Sequence, residues 1–328
     1  MADKEKKKSS SRKNSVHITG YLKENLLEVI TDKDGNEVIR GSMTVATSSV
    51  DSHKITFYTP RFDKNGGASE AYESLEALLP EKTISVASYL KNTPTATFDT
   101  AANGSTKVWV QARFDEYVRR KGEREDSSVI LKGFKAGFKT ATDASPFVPR
   151  AEFSVDVYLE KIADEIVDDK PTGRLLIDGI MLDYRGVAQK INFVAPVEDG
   201  IADYIKANYH ETDTVTLNGD VLNIYEREIK EDPEAENSYF GRASGGKQYE
   251  TTFTRERRVR GGSKTPIKQG EDGCYKTEDI KQGLVSREEK MVENGKRDKA
   301  KAEEAPAAEA PAKKVTPAVN SNFTDVDF

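Results

Sequence analysis

Lys54-Ile-Thr-Phe-Tyr-Thr-Pro60 and Lys190-Ile-Asn-Phe-Val-Ala-Pro196 correspond position by position. Both alternate apolar and polar side chains, the period of a strand. Both close at a proline, which has no N–H to give to a ladder. Each leads into a short helical pattern and then into further strands. In SEAYESLEALL (69–79), Ala71, Tyr72, Leu75, Leu78 and Leu79 fall at helical spacing. In VEDGIADYIKANY (197–209), the spacing puts Ile201, Tyr204 and Ile205 inward. A repeated order of this kind marks an internal duplication.

Working outward, β patterns surround both copies. Upstream of the first lie SVHITGYL (15–22), NLLEVI (25–30), a turn at Asp34-Gly35 and VIRGSMTVATSSV (38–50). Downstream, TISVASYL (83–90), TATFDTA (95–101) and KVWVQARFDEYV (107–118) read as strands. The charged stretch RRKGEREDSS (119–128) reads as a linker or exposed turn. VILKGFKAGF, AEFSVDVYLEKI, RLLIDGIMLDY and DTVTLNGDVLNIYERE supply strands for the second copy, and its SVILKGFK opening resembles SVHITGYL.

Five strands with a helix between the third and fourth make the oligonucleotide/oligosaccharide-binding fold, the OB-fold. The expectation is a mainly β chain with two tandem OB-fold-like barrels, each with a short helix, over 15–120 and 128–230. The second region holds more strand than five strands need. A basic arm over 1–14, a basic arm over 239–268 and a tail over 269–328 complete the organisation, with the N- and C-terminal tails disordered. EEAPAAEAPAKK (303–314) is rich in alanine, proline and charge and buries too little to offset chain entropy.

Composition narrows the function. Of 328 residues only 36% are apolar and 32% are charged. No run approaches the roughly 20 apolar residues of a membrane-spanning helix, so the expected setting is soluble and cytoplasmic. One cysteine, Cys274, excludes a disulfide framework, and three scattered histidines make a zinc site of ordinary spacing unexpected. Neither a GxSxG elbow nor HExxH occurs. Gly241 to Lys247 matches GxxxxGK, but Gln248 stands where a P-loop needs Ser or Thr, and a strand-like run follows where a helix belongs. The expectation is a binding protein, with no enzyme activity and no cofactor.

Net charge is −6, yet it is unevenly spread. Residues 1–14 carry six basic side chains against two acidic, and residues 239–268 carry eight against two. Such a patch binds phosphate on an acidic molecule, although charge runs also serve as plain solvated faces. In 106–114, Val108, Val110, Ala112 and Phe114 alternate with Lys107, Trp109, Gln111 and Arg113. The second face suits unpaired nucleotides, which stack on an indole while cations meet phosphates; the competing reading packs Trp109 under the linker or the second unit. Lys54 and Tyr58 share the outward face of their strand, and the second unit has no aromatic at the Tyr58 position. Arg242, Lys247, Arg255, Arg257, Arg258 and Arg260 are candidates for tracking phosphates.

The chain ends in Asp325-Val326-Asp327-Phe328. Two β-rich units, a low-complexity tail and an acidic tip ending in phenylalanine together resemble single-stranded DNA-binding proteins of the bacterial and bacteriophage type. The tip has two acids and lacks the proline usual before the last Phe in the bacterial family. The resemblance implies sequence-tolerant binding of single-stranded DNA in replication, recombination or repair. It also implies that Asp325, Asp327 and Phe328 dock on replication or recombination proteins. Two other readings compete: a β-rich structural or adaptor protein, such as a virion or assembly component, without nucleic-acid binding, and an RNA-binding module.

Overall fold

A computed structural model describes residues 12–63, 65–140, 147–230 and 248–304. The protein is mostly β, and its strands join in one 11-stranded sheet. β1 (Asn14–Asn25), β3 (Glu37–Ala46) and β4 (Ser52–Pro60) run antiparallel in turn, with the short β2 (Glu28–Thr31) on the free edge of β3. β5 (Lys107–Lys121) and β6 (Arg124–Phe138) form a long hairpin. β4 pairs β6 in parallel and β5 pairs β1, so the pairings return to their starting strand. This is the strand order expected of an OB-type unit.

The second circuit repeats the first. β7 (Arg150–Val167), β8 (Lys170–Leu182) and β9 (Ala188–Ala195) are antiparallel. β10 (Thr214–Lys230) and β11 (Gln248–Gly262) form the second long hairpin. β9 meets β11 in parallel, and β10 returns to β7. In both KITFYTP and KINFVAP the Ile and Phe are buried: Ile55, Phe57, Ile191 and Phe193. The two repeats are therefore the third strand of their circuits.

Several expectations are corrected. VILKGFKAGF is not the opening of the second unit, since β6 completes the first circuit and β7 opens the second. The surplus of strands over 128–230 disappears with that change. RRKGEREDSS is not a linker but the tip of the β5–β6 hairpin, where Arg119, Arg120 and Glu125 pair with charges further along the chain at Asp298, Glu288 and Arg287.

TISVASYL and TATFDTA are largely helical. After α1 (Glu70–Glu76), α2 (Val86–Asn92) starts at Ser85, whose side chain forms a capping box with Ser88. α3 (Phe98–Gly104) starts at Thr97, whose hydroxyl accepts from the Thr100 N–H. Such caps satisfy backbone donors that a strand reading leaves to a ladder. In α4 (Ile201–Asn208), Ala202 and Ile205 are buried, while Tyr204 turns outward and donates to the Lys264 carbonyl at 2.7 Å.

The tail reading fails over 269–304. α5 (Thr277–Glu304) is a long helix packed on both circuits. Tyr275, Ile280 and Met291 are buried, and Tyr275 and Ile280 pack with Tyr158, Ile180 and Ala188. Ile280, Leu284, Arg287 and Met291 recur at helical spacing; the alanine- and proline-rich composition sets in only beyond them. The terminal residues 1–11 and 305–328, including Asp325, Asp327 and Phe328, lie outside the described residues.

The two circuits share one core. β1 pairs β7 antiparallel, from Asn14 opposite Val155 to Thr19 opposite Arg150. Behind this seam the rings of Phe114, Phe153 and Phe193 meet in series, at centroid distances of 5.9 and 5.4 Å.

Candidate nucleic-acid interface

The basic arm is the outer strand of the β10–β11 hairpin. Its inner face changes chemistry as the strand leaves the core. Val259 is fully buried; Arg257, Arg255 and Phe253 follow on the same face at the period of a strand. Across the ladder Arg257 faces Val221, Arg255 faces Asn223 and Phe253 faces Tyr225. The Tyr225 and Phe253 rings lie 4.8 Å apart and are 46% and 65% exposed. Burial thus gives way to cations, and cations to an open aromatic pair.

Arg255 and Arg257 line a groove of about 460 Å³. Its other walls are the β5–β6 hairpin, through Glu125 and Ser127 to Val129, and the β8–β9 face, through Asp178, Lys190 and Asn192. Arg257 donates from Nε to the Asn192 carbonyl at 2.6 Å. Burial, and then the neighbouring Arg255 charge, push its guanidinium down to about 10. Arg255 donates from Nε to Asn223 Oδ1 at 3.0 Å. Among the described residues neither guanidinium has a carboxylate partner. The groove's own carboxylates face other partners: Glu160 takes Lys190 Nζ at 3.1 Å, Glu125 pairs with Arg287, and Asp178 accepts from the neutral Asn192 Nδ2 at 2.8 Å.

The outer face of the same strand is neutralised. Glu256 receives Arg174 at 2.6 Å and Arg258 at 3.1 Å. Burial alone would raise the Glu256 carboxyl, but these two arginines hold it below its ordinary value. Arg260 pairs with Asp220. Four arginines that look alike in the sequence therefore sort into two unpaired in the groove and two neutralised outside it.

The arm is latched to the first circuit. The Asn223 backbone N–H donates to Asp51 Oδ1 at 2.9 Å, its side chain donates to the Ser52 carbonyl at 2.5 Å, and the Tyr225 N–H donates to the Val50 carbonyl at 2.9 Å. Asn223 thus ties Arg255 to the start of β4. Lys54 and Tyr58 stand on the exposed face of that strand. The Tyr58 hydroxyl donates to Asp32 Oδ2 at 3.2 Å; partial desolvation and the Asp32 charge raise its pKa.

Trp109 does point out of the first circuit, between the buried Val108 and Val110. Its indole lies flat on Gly137, where a Cβ would come within 2.9 Å of the ring nitrogen, and it is half-buried there. It does not line the groove. Glu116, which pairs with the groove-lining Val129, lies seven positions further along β5, roughly 23 Å away. Lys107 Nζ sits 5.0 Å from the Phe147 ring centre, and Arg113 is exposed beside Lys132 of β6. Lys107, Trp109 and Arg113 form a surface apart from the groove, while Arg255 and Arg257 converge in it. Arg242 and Lys247 lie outside the described residues. The GxxxxGK match continues into strand β11, not into a helix.

Sequence reasoning missed Tyr225, Lys190 and the Asp178–Asn192 pair as site residues. The alternation in YETTFTRER does place Phe253 with Arg255 and Arg257. Bringing Tyr225 beside Phe253 requires the β10–β11 register across a long intervening segment.

No curated protein matches the sequence. Among solved structures, the chain is similar to the single-stranded DNA-binding protein from Thermus aquaticus, with TM-score 0.43 and 10% identity over 79% of this chain and 96% of that one. A deletion mutant of the single-stranded DNA-binding protein from that organism gives TM-score 0.42 and 10% identity over 80% and 98%. A replication protein A heterotrimer bound to single-stranded DNA gives 0.18 and 10% over 68% and 47%. The model of the YorF family matches residues 13–297, and the chain belongs to that family.

Proposed function

We propose that this protein binds single-stranded nucleic acid, DNA in the first instance, in the groove between the β5–β6 hairpin, the β8–β9 face and the β10–β11 arm. The two circuits are read as tandem OB-type barrels whose long hairpins build the groove together. One observation carries the reading: Arg255 and Arg257 stand in the groove without carboxylate partners, on the strand face that continues into the exposed Tyr225–Phe253 pair. A phosphate offsets the cost of two adjacent cations, and an open aromatic pair receives bases at about 1–3 kcal/mol each. Nothing in this arrangement calls for a reacting group, so the protein is read as a binder and not an enzyme. A role in replication, recombination or repair, and recruitment of partners by Asp325, Asp327 and Phe328, follow from the resemblance of the tip and tail. No helix among the described residues is long and apolar enough to cross a membrane.

The test is a titration of the full chain with labelled oligo-dT, followed by anisotropy at two salt concentrations. Tight binding that weakens steeply with salt is expected. Salt-insensitive binding, or none, returns the protein to the structural or adaptor reading. Competition by a matched RNA oligomer separates the RNA reading.

A further inference from the structure

We infer that Asp178 makes the groove selective among bases, favouring cytosine over thymine. This rests on the single-stranded DNA reading of the same groove. Asp178 and Asn192 stand directly opposite each other on β8 and β9, and both side chains face the groove. Asn192 Nδ2 donates to Asp178 Oδ1 at 2.8 Å. The second carboxylate oxygen has no hydrogen-bond partner and Asp178 no cation among the described residues. The Asn192 carbonyl, in turn, holds Arg257 at 2.6 Å. A phosphate anchor on β11 and an unneutralised acceptor on β8 therefore both contact Asn192, on the strand between them.

A bare carboxylate repels a polyanion, so a backbone phosphate does not lie against Asp178. With the phosphate at Arg257, the group that reaches Asp178 is a base edge. A carboxylate only accepts hydrogen bonds. Cytosine presents an amino group at C4 and donates it to a carboxylate, the pairing by which Asp and Glu read cytosine. Thymine carries a carbonyl oxygen at the same position, and two acceptors face each other. Thymine also differs at N3 and by its C5 methyl, but only cytosine offers the C4 amino donor on which the preference rests.

The experiment compares full-length protein with oligo-dC and oligo-dT of equal length, by anisotropy at one salt concentration, for wild type and Asp178→Asn. Wild type should bind oligo-dC on the order of ten-fold more tightly. In Asp178→Asn the amide can donate to the thymine oxygen or accept from the cytosine amine. The ratio should fall to about one, chiefly through gained dT affinity. A melting temperature equal to that of wild type reports that the variant is folded. Equal binding of both oligomers by wild type overturns the inference while leaving the DNA reading intact. So does an equal gain for both in the variant, which signals only a lost negative charge. Binding of neither oligomer by wild type overturns the DNA reading and this inference with it.

Discussion

Arg257 is a half-buried cation. Its Nε has a carbonyl to donate to, but among the described residues no carboxylate pairs with it, and the neighbouring Arg255 charge opposes it. Folding bears that cost, and a bound phosphate removes it. Single-stranded DNA loses about 0.7 in the slope of log K against log salt for each phosphate contact removed. The double variant Arg255→Ala/Arg257→Ala should therefore bind more weakly with a slope shallower by about 1.4. Arg258→Ala and Arg260→Ala break ion pairs with Glu256 and Asp220 and should leave the slope nearly unchanged. Titrations across a salt series check both. The distinction was only half legible in the sequence. Alternation along TRERRVR separates Arg255 and Arg257 from Arg258 and Arg260. Which face is neutralised depends on Arg174 and Asp220, brought in from β8 and β10 by the fold.

Helix α5 shows how one element sets the geometry of a site it does not line. Arg287 is 4% exposed and grips Glu116 of β5, itself 3% exposed, with Nε at 2.8 Å and a second nitrogen at 2.6 Å. It also pairs with Glu125, a groove residue, and Glu116 in turn accepts the Lys190 N–H at 3.1 Å. The hydrogen bonds it donates to Glu116 and Glu125 raise the Arg287 guanidinium above its ordinary value. Replacing Arg287 with Met leaves Glu116 charged and buried, which costs about 3–5 kcal/mol. Thermal melting should register that loss. Removing 305–328 leaves these contacts in place and should not lower the melting temperature, whereas removing 269–328 should. If the acidic tip competes for the groove, the shorter truncation also tightens DNA binding. The long helix escaped a reading of composition because 32% charge over the whole chain obscures a stripe of four residues. The short helices α2 and α3 escaped because Val86, Ala87 and Phe98 fit a strand as well as a helix. Only the caps at Ser85 and Thr97 decide between them. The third strands were legible because their alternation ends at proline in both copies.

Among the contacts that hold the halves of the molecule together are the β1–β7 seam with its phenylalanine series, the arm on Asp51, and α5 on Glu116 and Glu125. Two of these depend on carboxylates with lowered pKa values. Burial would raise Asp51, but His53, 3.4 Å away, together with Thr47 and Asn223, outweighs it. The bond to Arg287 lowers Glu125. A carboxyl whose folded pKa is depressed stabilises above its unfolded value and loses that contribution as pH falls through the folded one. The window therefore opens below the ordinary values of 3.8 for Asp51 and 4.5 for Glu125. The seam has no titrating group in its Phe114–Phe153–Phe193 series and keeps its apolar contacts in acid. A protease site placed within 141–146, between β6 and β7, cuts the chain without cutting any of the three contacts. At neutral pH the nicked halves should elute together on size exclusion and still bind oligo-dC. Near pH 3 the arm and helix contacts weaken while the seam persists, so the halves should stay together but melt at lower temperature than at neutral pH. Adding Phe153→Ala removes the ring common to both contacts of the series, a loss of about 3–5 kcal/mol. That nicked variant should separate in acid. Separation of the unmutated halves at neutral pH would mean that the seam and the two polar contacts do not hold the molecule as one body.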